Sequence, residues 1–188
     1  MDEDLSIIKS NTRNEKIKNF ILNNKKSLIA FLIIFFGIII SFFGYKEFKK
    51  SQTIKISDIY NSTIINFSGE TKDKTISKLI EIINKKNSTY SPLSLYFIID
   101  NRLISNQKEI NDLFNILIED TPLEKEIKNL IIYKKGLYNA DKVDENELLE
   151  ILRPLTNTKS IWTSHALYLI AEFFFSKDEK QKAKDFFN

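Results

Sequence analysis

No charged residue falls between Lys26 and Lys46. The run from Ser27 to Tyr45 reads SLIAFLIIFFGIIISFFGY, so a helix built from it is apolar on every face. At about 1.5 Å rise per residue it is about 28 Å long, close to the ~30 Å hydrocarbon core of a bilayer. The buried helices of globular proteins are seldom apolar all round. A cleaved signal peptide has a shorter apolar region, roughly 7–15 residues, followed by a small-residue cleavage site. Here Lys46, Glu47, Phe48, Lys49 and Lys50 follow directly, without such a site. Residues 27–45 therefore read as an uncleaved transmembrane helix. It divides the chain into a charged tail, residues 1–26, and a domain, residues 46–188.

Charge sets the orientation. Lys9, Arg13, Lys16, Lys18, Lys25 and Lys26 precede the span, while Lys46, Lys49, Lys50 and Lys55 follow it. The excess favours a cytoplasmic N-terminus, which places the domain across the membrane. In the tail, Ile17, Phe20 and Ile21 fall at helical spacing before Lys25 and Lys26, as in a short amphipathic lead-in. Inside the span, Ala30, Gly37, Ser41 and Gly44 are spaced by seven, four and three residues. They form one small-residue face among Ile, Leu and Phe, a seam on which a second membrane helix could dock closely.

Composition limits what the domain can do. The formal net charge of +3 is too small to point to nucleic acid, and the absence of cysteine excludes disulfides and thiolate metal sites. Ile, Lys and Asn are heavily used, which lowers the weight of any single Lys or Asn. The domain is long enough to bury a core.

Its periodicity is helical throughout, with no convincing strand alternation. Helices are expected over residues 51–67, 73–86, 92–105 and 106–119, with a break at Ser68-Gly69. Ser91 is expected to cap the helix that opens with Pro92. Thr121-Pro122-Leu123-Glu124 reads as cap, first-turn proline and third-position acid. Asp144 with Glu147 is a looser start, and Ser160, preceding Ile161 and Trp162, is expected to cap the next helix. All three prolines are expected at helix starts. Short helices joined by brief connections imply an all-α domain of stacked hairpins.

The last stretch, LYLIAEFFFSKDEKQKAKDFF from Leu167 to Phe187, carries a repeat-like pattern. Ala171 and Phe174 lie in its first helix, Lys177-Asp178 form the turn, and Ala183 and Phe187 lie in its second. Upstream, Leu152, Pro154 and Leu155 precede Trp162 and Ala166. With the tail and span NEKIKNFILNNKKSLIAFLIIFFG, this order resembles the membrane-anchored tetratricopeptide-repeat-like proteins of Gram-negative bacteria. That family includes the ancillary (YfgM-like) subunit of the Sec translocon. The resemblance implies a bacterial inner-membrane protein with a periplasmic repeat domain, associated with Sec channel subunits and periplasmic chaperones. It assigns packing roles to Pro154, Trp162, Ala166, Ala171, Phe174, Ala183 and Phe187. Residues 73–119 match the pattern poorly. The chain stops at Asn188, inside its last helix, where relatives continue, so a truncated C-terminus is expected.

Residues suited to chemistry are scarce. His165 is the lone histidine, and no phosphate loop, nucleophile elbow or zinc-binding helix motif occurs. Glu145, Glu147 and Glu150 crowd a helix start, where acids complement the dipole. Asp141 and Asp144 lack calcium-loop spacing. No catalytic, cofactor or metal residue is expected. The sequence reads as a non-enzymatic, membrane-tethered protein-interaction module of unknown oligomeric state. An envelope scaffold or assembly factor of another membrane complex would use the same architecture.

Overall fold

The computed structural model describes residues 15–16 and 18–187, and only the backbone of Phe187. The tail before residue 15 and Ile17 therefore lie outside the described residues, although residues 18–23 are helical as expected. Among the described residues there is no strand.

The first helix, α1, is unbroken from Lys25 to Ile65. It joins the apolar span and the helix expected over residues 51–67, because nothing between Tyr45 and Gln52 interrupts the backbone hydrogen bonding. The chain divides into two compact units, one ending at Gln52 and one beginning at Thr53. The first holds a helical stretch long and apolar enough to cross a membrane. Its mean hydropathy reaches 2.7 over 18 residues, none of them buried.

The second unit opens with the last residues of α1 and a short 3-10 turn, Gly69–Thr71. Then come α2 (Lys72–Asn84), α3 (Tyr90–Asp100) and α4 (Gln107–Asn115), which runs into a π turn, Ile116–Asp120. They are followed by α5 (Lys125–Asn139), α6 (Glu145–Thr156), α7 (Thr163–Ser176) and α8 (Lys180–Phe187). Sequence neighbours pack on one another, most extensively α2 on α3, α5 on α6 and α7 on α8. The apolar residues form two clusters. One runs from Ile56 of α1 through Leu79, Ile98 and Phe114 to Ile131 of α5. The other runs from Ile132 of α5 through Leu152 and Ile170 to Ala183 of α8. Adjacent residues of α5 thus serve different clusters.

Three helices of the second unit end on residues in left-handed backbone. Lys86, Arg102 and Asp178 take positive φ, at 53°, 50° and 61°. After α3, Arg102 N–H donates to Ile99 C=O and Leu103 N–H to Ile98 C=O. After α7, Asp178 and Glu179 repeat that paired closure on Phe175 and Phe174, at the expected Lys177-Asp178 turn. After α2 the second bond is bridged by a side chain. The Ser91 hydroxyl accepts from Asn87 N–H at 2.9 Å and donates to Ile82 C=O at 2.8 Å. Ser91 therefore closes α2 and does not cap α3. Asn87 Oδ1 accepts from the Thr89 and Tyr90 N–H groups at the start of α3 instead.

Thr121 is corrected in the same way. Its hydroxyl donates back to Ile116 C=O at 3.0 Å, and α5 begins only at Lys125. Asp144 caps α6 as expected, accepting from Glu147 N–H at 2.9 Å. Pro154 lies inside α6 and is exposed, so it neither starts a helix nor packs between hairpins. It sits in the last turn, where its ring nitrogen cannot donate to the carbonyl four residues back, and the helix ends two residues later at Thr156.

Candidate functional site

The expected packing positions of the last hairpin come together. Ala166, Ala171 and Phe174 of α7 and Ala183 of α8 are buried. The aromatic partner of Phe174 is Phe186, stacked at 5.6 Å; the Phe187 side chain lies outside the described residues. The small side chains matter because α7 and α8 make the most extensive helix pair in the unit.

Trp162 packs across hairpins, but onto a residue that sequence reading passed over. Its ring stacks on Tyr133 of α5 at 5.7 Å, and His165 lies 5.3 Å from Trp162 and 5.8 Å from Tyr133. Ser160 holds this corner together. Its hydroxyl donates to Glu126 at 2.7 Å and accepts from Asn129 at 3.0 Å and from the Trp162 N–H at 3.1 Å. It thus organises the approach to α7, whose N-cap position is Trp162 itself. His165 is exposed and bonds Ile161 C=O, so the lone histidine belongs to an aromatic joint. No group of acids and histidines capable of holding a metal occurs among the described residues.

Ala30, Gly37, Ser41 and Gly44 all lie on the regular part of α1, and 3.6 residues per turn puts them within an arc of about 60°. A Cβ at Gly37 or Gly44 would meet nothing within 4 Å. No described residue lies against the seam's two glycines.

The clearest concave apolar surface lies between α3 and α5. Pro92, Leu93 and Tyr96 form one wall, Ile127 and Leu130 the other, and Pro122-Leu123 the end of a groove of about 540 Å³. Tyr96 also lines an adjoining cavity of about 230 Å³ with Ile99, Lys134 and Leu137. The apolar side chains along it remain open: Leu93 is 39% exposed, Ile127 42% and Leu137 53%. Lys134 sets its ammonium 4.1 Å from the Tyr96 ring centroid. Burial pushes the Tyr96 phenol up to about 12, so it stays a neutral hydroxyl at physiological pH. On α7, Tyr168 and Phe175 are likewise exposed, at 53% and 62%, seven residues apart on one face.

A second groove, of about 410 Å³, is polar and lies between α4, α5 and α6. Beside it the fully buried Asn139 accepts from Gln107 and Asn111 and donates to Asn111 and the Lys135 carbonyl. Lys135 donates to Asn115 at 2.8 Å. Burial lowers its pKa, opposed by the nearby carboxylates of Glu119, Glu147 and Asp112. This network fixes how α4 and α5 meet. Sequence reading missed it because Asn is so common in the chain that Asn111 and Asn139 carry no special mark.

The chain matches no protein-family model, and neither a curated protein nor a solved structure is significantly similar to it.

Proposed function

We propose that this chain is a non-enzymatic, membrane-tethered protein-interaction module. In this reading it is an accessory of the Sec translocon that links the channel to periplasmic chaperones. The observation that carries the reading is the apolar groove between α3 and α5. An exposed apolar concavity on a monomer marks a binding surface, and its open Leu and Ile side chains suit apolar segments of a partner. The apolar stretch of α1 supplies the tether, crossing the inner membrane once with its N-terminus in the cytoplasm. The succession of neighbour-packed helices is compatible with a tetratricopeptide-like array, whose hairpins present such surfaces. The small-residue seam serves as the contact with a channel helix.

The test is in-cell crosslinking followed by affinity purification of the full-length protein in mild detergent. The expected result is recovery of Sec channel subunits together with periplasmic folding factors. Ile127→Asp in the groove should deplete the folding factors and keep the channel. Gly37→Leu with Ser41→Leu should do the reverse. Recovery of a division or other envelope complex without the channel would replace the translocon assignment with that of a scaffold. Unchanged recovery in both variants would remove the groove and the seam as contact surfaces.

A further inference from the structure

Where the end of α1 meets α2, a cavity of about 250 Å³ is lined by Ser62, Thr63 and Asn66 on one side. Thr71, Lys74, Thr75 and Lys78 line the other side, and no carboxylate takes part. Lys74 and Lys78 stand one turn apart on α2, where like charges repel. Neither forms an ion pair among the described residues, although other lysines of the domain, such as Lys85 and Lys182, do. Thr75 lies between them and is 3% exposed. Its hydroxyl forms no hydrogen bond among the described residues and, unlike Ser94 Oγ and Trp162 Nε1, is not sealed from solvent.

The other polar groups of the cavity wall are largely occupied. The Ser62 and Thr63 hydroxyls both donate to Ile59 C=O, at 3.0 and 2.7 Å. Asn66 gives one N–H to Ser62 C=O at 2.7 Å and keeps the other. The Thr71 hydroxyl is engaged with Ser68 and with Asn66 C=O. What remains open is a set of donors: two ammonium groups, the Thr75 hydroxyl and one amide N–H of Asn66.

We propose that this cavity binds a phosphate-type oxyanion. Two positive charges call for an anion, and donors arriving both from α2 and from the turn after α1 call for one with three or more oxygens. A carboxylate, with two oxygens, would leave donors idle. Inorganic phosphate, a phosphate monoester and a phospholipid headgroup share the required group.

The experiment is lysine footprinting of the full-length protein in nanodiscs, with acetylation of each lysine followed by mass spectrometry. In phosphatidylcholine nanodiscs, inorganic phosphate should protect Lys74 and Lys78 saturably and leave the exposed Lys72 unchanged. Thr75→Val should weaken that protection about tenfold, the loss of one hydrogen bond to a charged group. Its fold should persist, since the hydroxyl bonds nothing in the protein. Equal protection by chloride at matched ionic strength, or no protection, would overturn the proposal. So would protection that Thr75→Val leaves unchanged. Protection without added phosphate in nanodiscs containing phosphatidylglycerol would identify the headgroup as the source. Dependence on added phosphate in both lipids would identify a free phosphate.

Discussion

The two ends of α1 use similar apolar residues and surround them differently. From Ser27 to Tyr45 the large side chains are open, Phe31 at 66% and Phe35 at 49%, and none is buried. From Thr53 to Ile65 the same helix buries Ile56 and Thr63 and leaves Ile54 and Ile65 exposed. The first stretch is apolar all round and suits an apolar solvent. The second is apolar on one side and suits a protein neighbour on that side. Hydropathy thus measures how much surface wants to leave water, while periodicity tells what can cover it.

Large-to-small substitution should break this comparison if it is wrong. Phe114→Ala, at a fully buried site in the first cluster, should lower the unfolding free energy of the domain by about 3–5 kcal/mol. Urea denaturation of the full-length protein in micelles, followed by Trp162 fluorescence, measures this. Phe35→Ala removes the same atoms from the span and should leave the midpoint unchanged. A matching loss there would mean that the span packs against protein.

The next effect concerns glycine. A Cβ at Gly136 of α5 would lie 2.5 Å from a Leu152 methyl and 3.0 Å from Leu152 Cγ, and Leu152 is fully buried in α6. Gly136→Val should therefore cost about 2–3 kcal/mol through overpacking. Leu152→Ala opens the space, so the double variant should lose less than the sum of the two single losses. Gly37→Val in the span faces no such neighbour and should leave the domain's unfolding curve in place. Additive losses at Gly136 and Leu152 would show that the two helices can shift apart freely.

A somewhat smaller loss, about 2 kcal/mol, is expected for Asn139→Leu, which strands the amides of Gln107 and Asn111 against the core. The same denaturation assay measures it. Asn139→Asp keeps the acceptor but brings in a charge, and should be no better tolerated. A neutral outcome would mean that water satisfies Gln107 and Asn111 once the partner is gone.

Much of the helical layout was legible in the sequence. The apolar run, the break at Ser68-Gly69, the Asp144 cap and the buried Ala171, Phe174 and Ala183 follow from local pattern alone. What local pattern could not give was the use made of hydroxyls and amides between elements. Ser91 and Thr121 stand where a cap for the following helix is expected, yet both bond back to the helix before. Either bond satisfies an orphan backbone group, and tertiary geometry chooses between them. Tyr133 and the α3–α5 groove were missed for a related reason. Leu93, Tyr96 and Ile127 look like spare core residues until the inward faces of α3 and α5 are filled by others. The span's seam was legible as spacing, but spacing does not say what lies opposite.

The smallest predicted effect turns on where the chain places its few glycines. Gly37 and Gly44 lie in the helical span, and no glycine takes a positive φ. The left-handed positions of the domain are filled by Lys86, Arg102 and Asp178, residues that pay for this conformation in backbone strain. Arg102→Gly should stabilise the domain by about 0.5 kcal/mol, the strain relieved less the added freedom of the unfolded chain. Lys86→Gly should gain less, because Lys86 also forms an ion pair with Asp120 at 3.0 Å, and Asp178→Gly gives up a contact with Lys180 at 2.9 Å. The order Arg102 above Lys86 and Asp178, read as shifts in the urea midpoint, tests whether local backbone strain or the surface pairs govern these turns. In the span the opposite substitution is informative. Gly37→Ala relieves no strain and meets no neighbour among the described residues. If it leaves the domain's midpoint unchanged but lowers recovery of a membrane partner, the glycines of α1 serve close helix approach, and those missing from the turns are no loss of design.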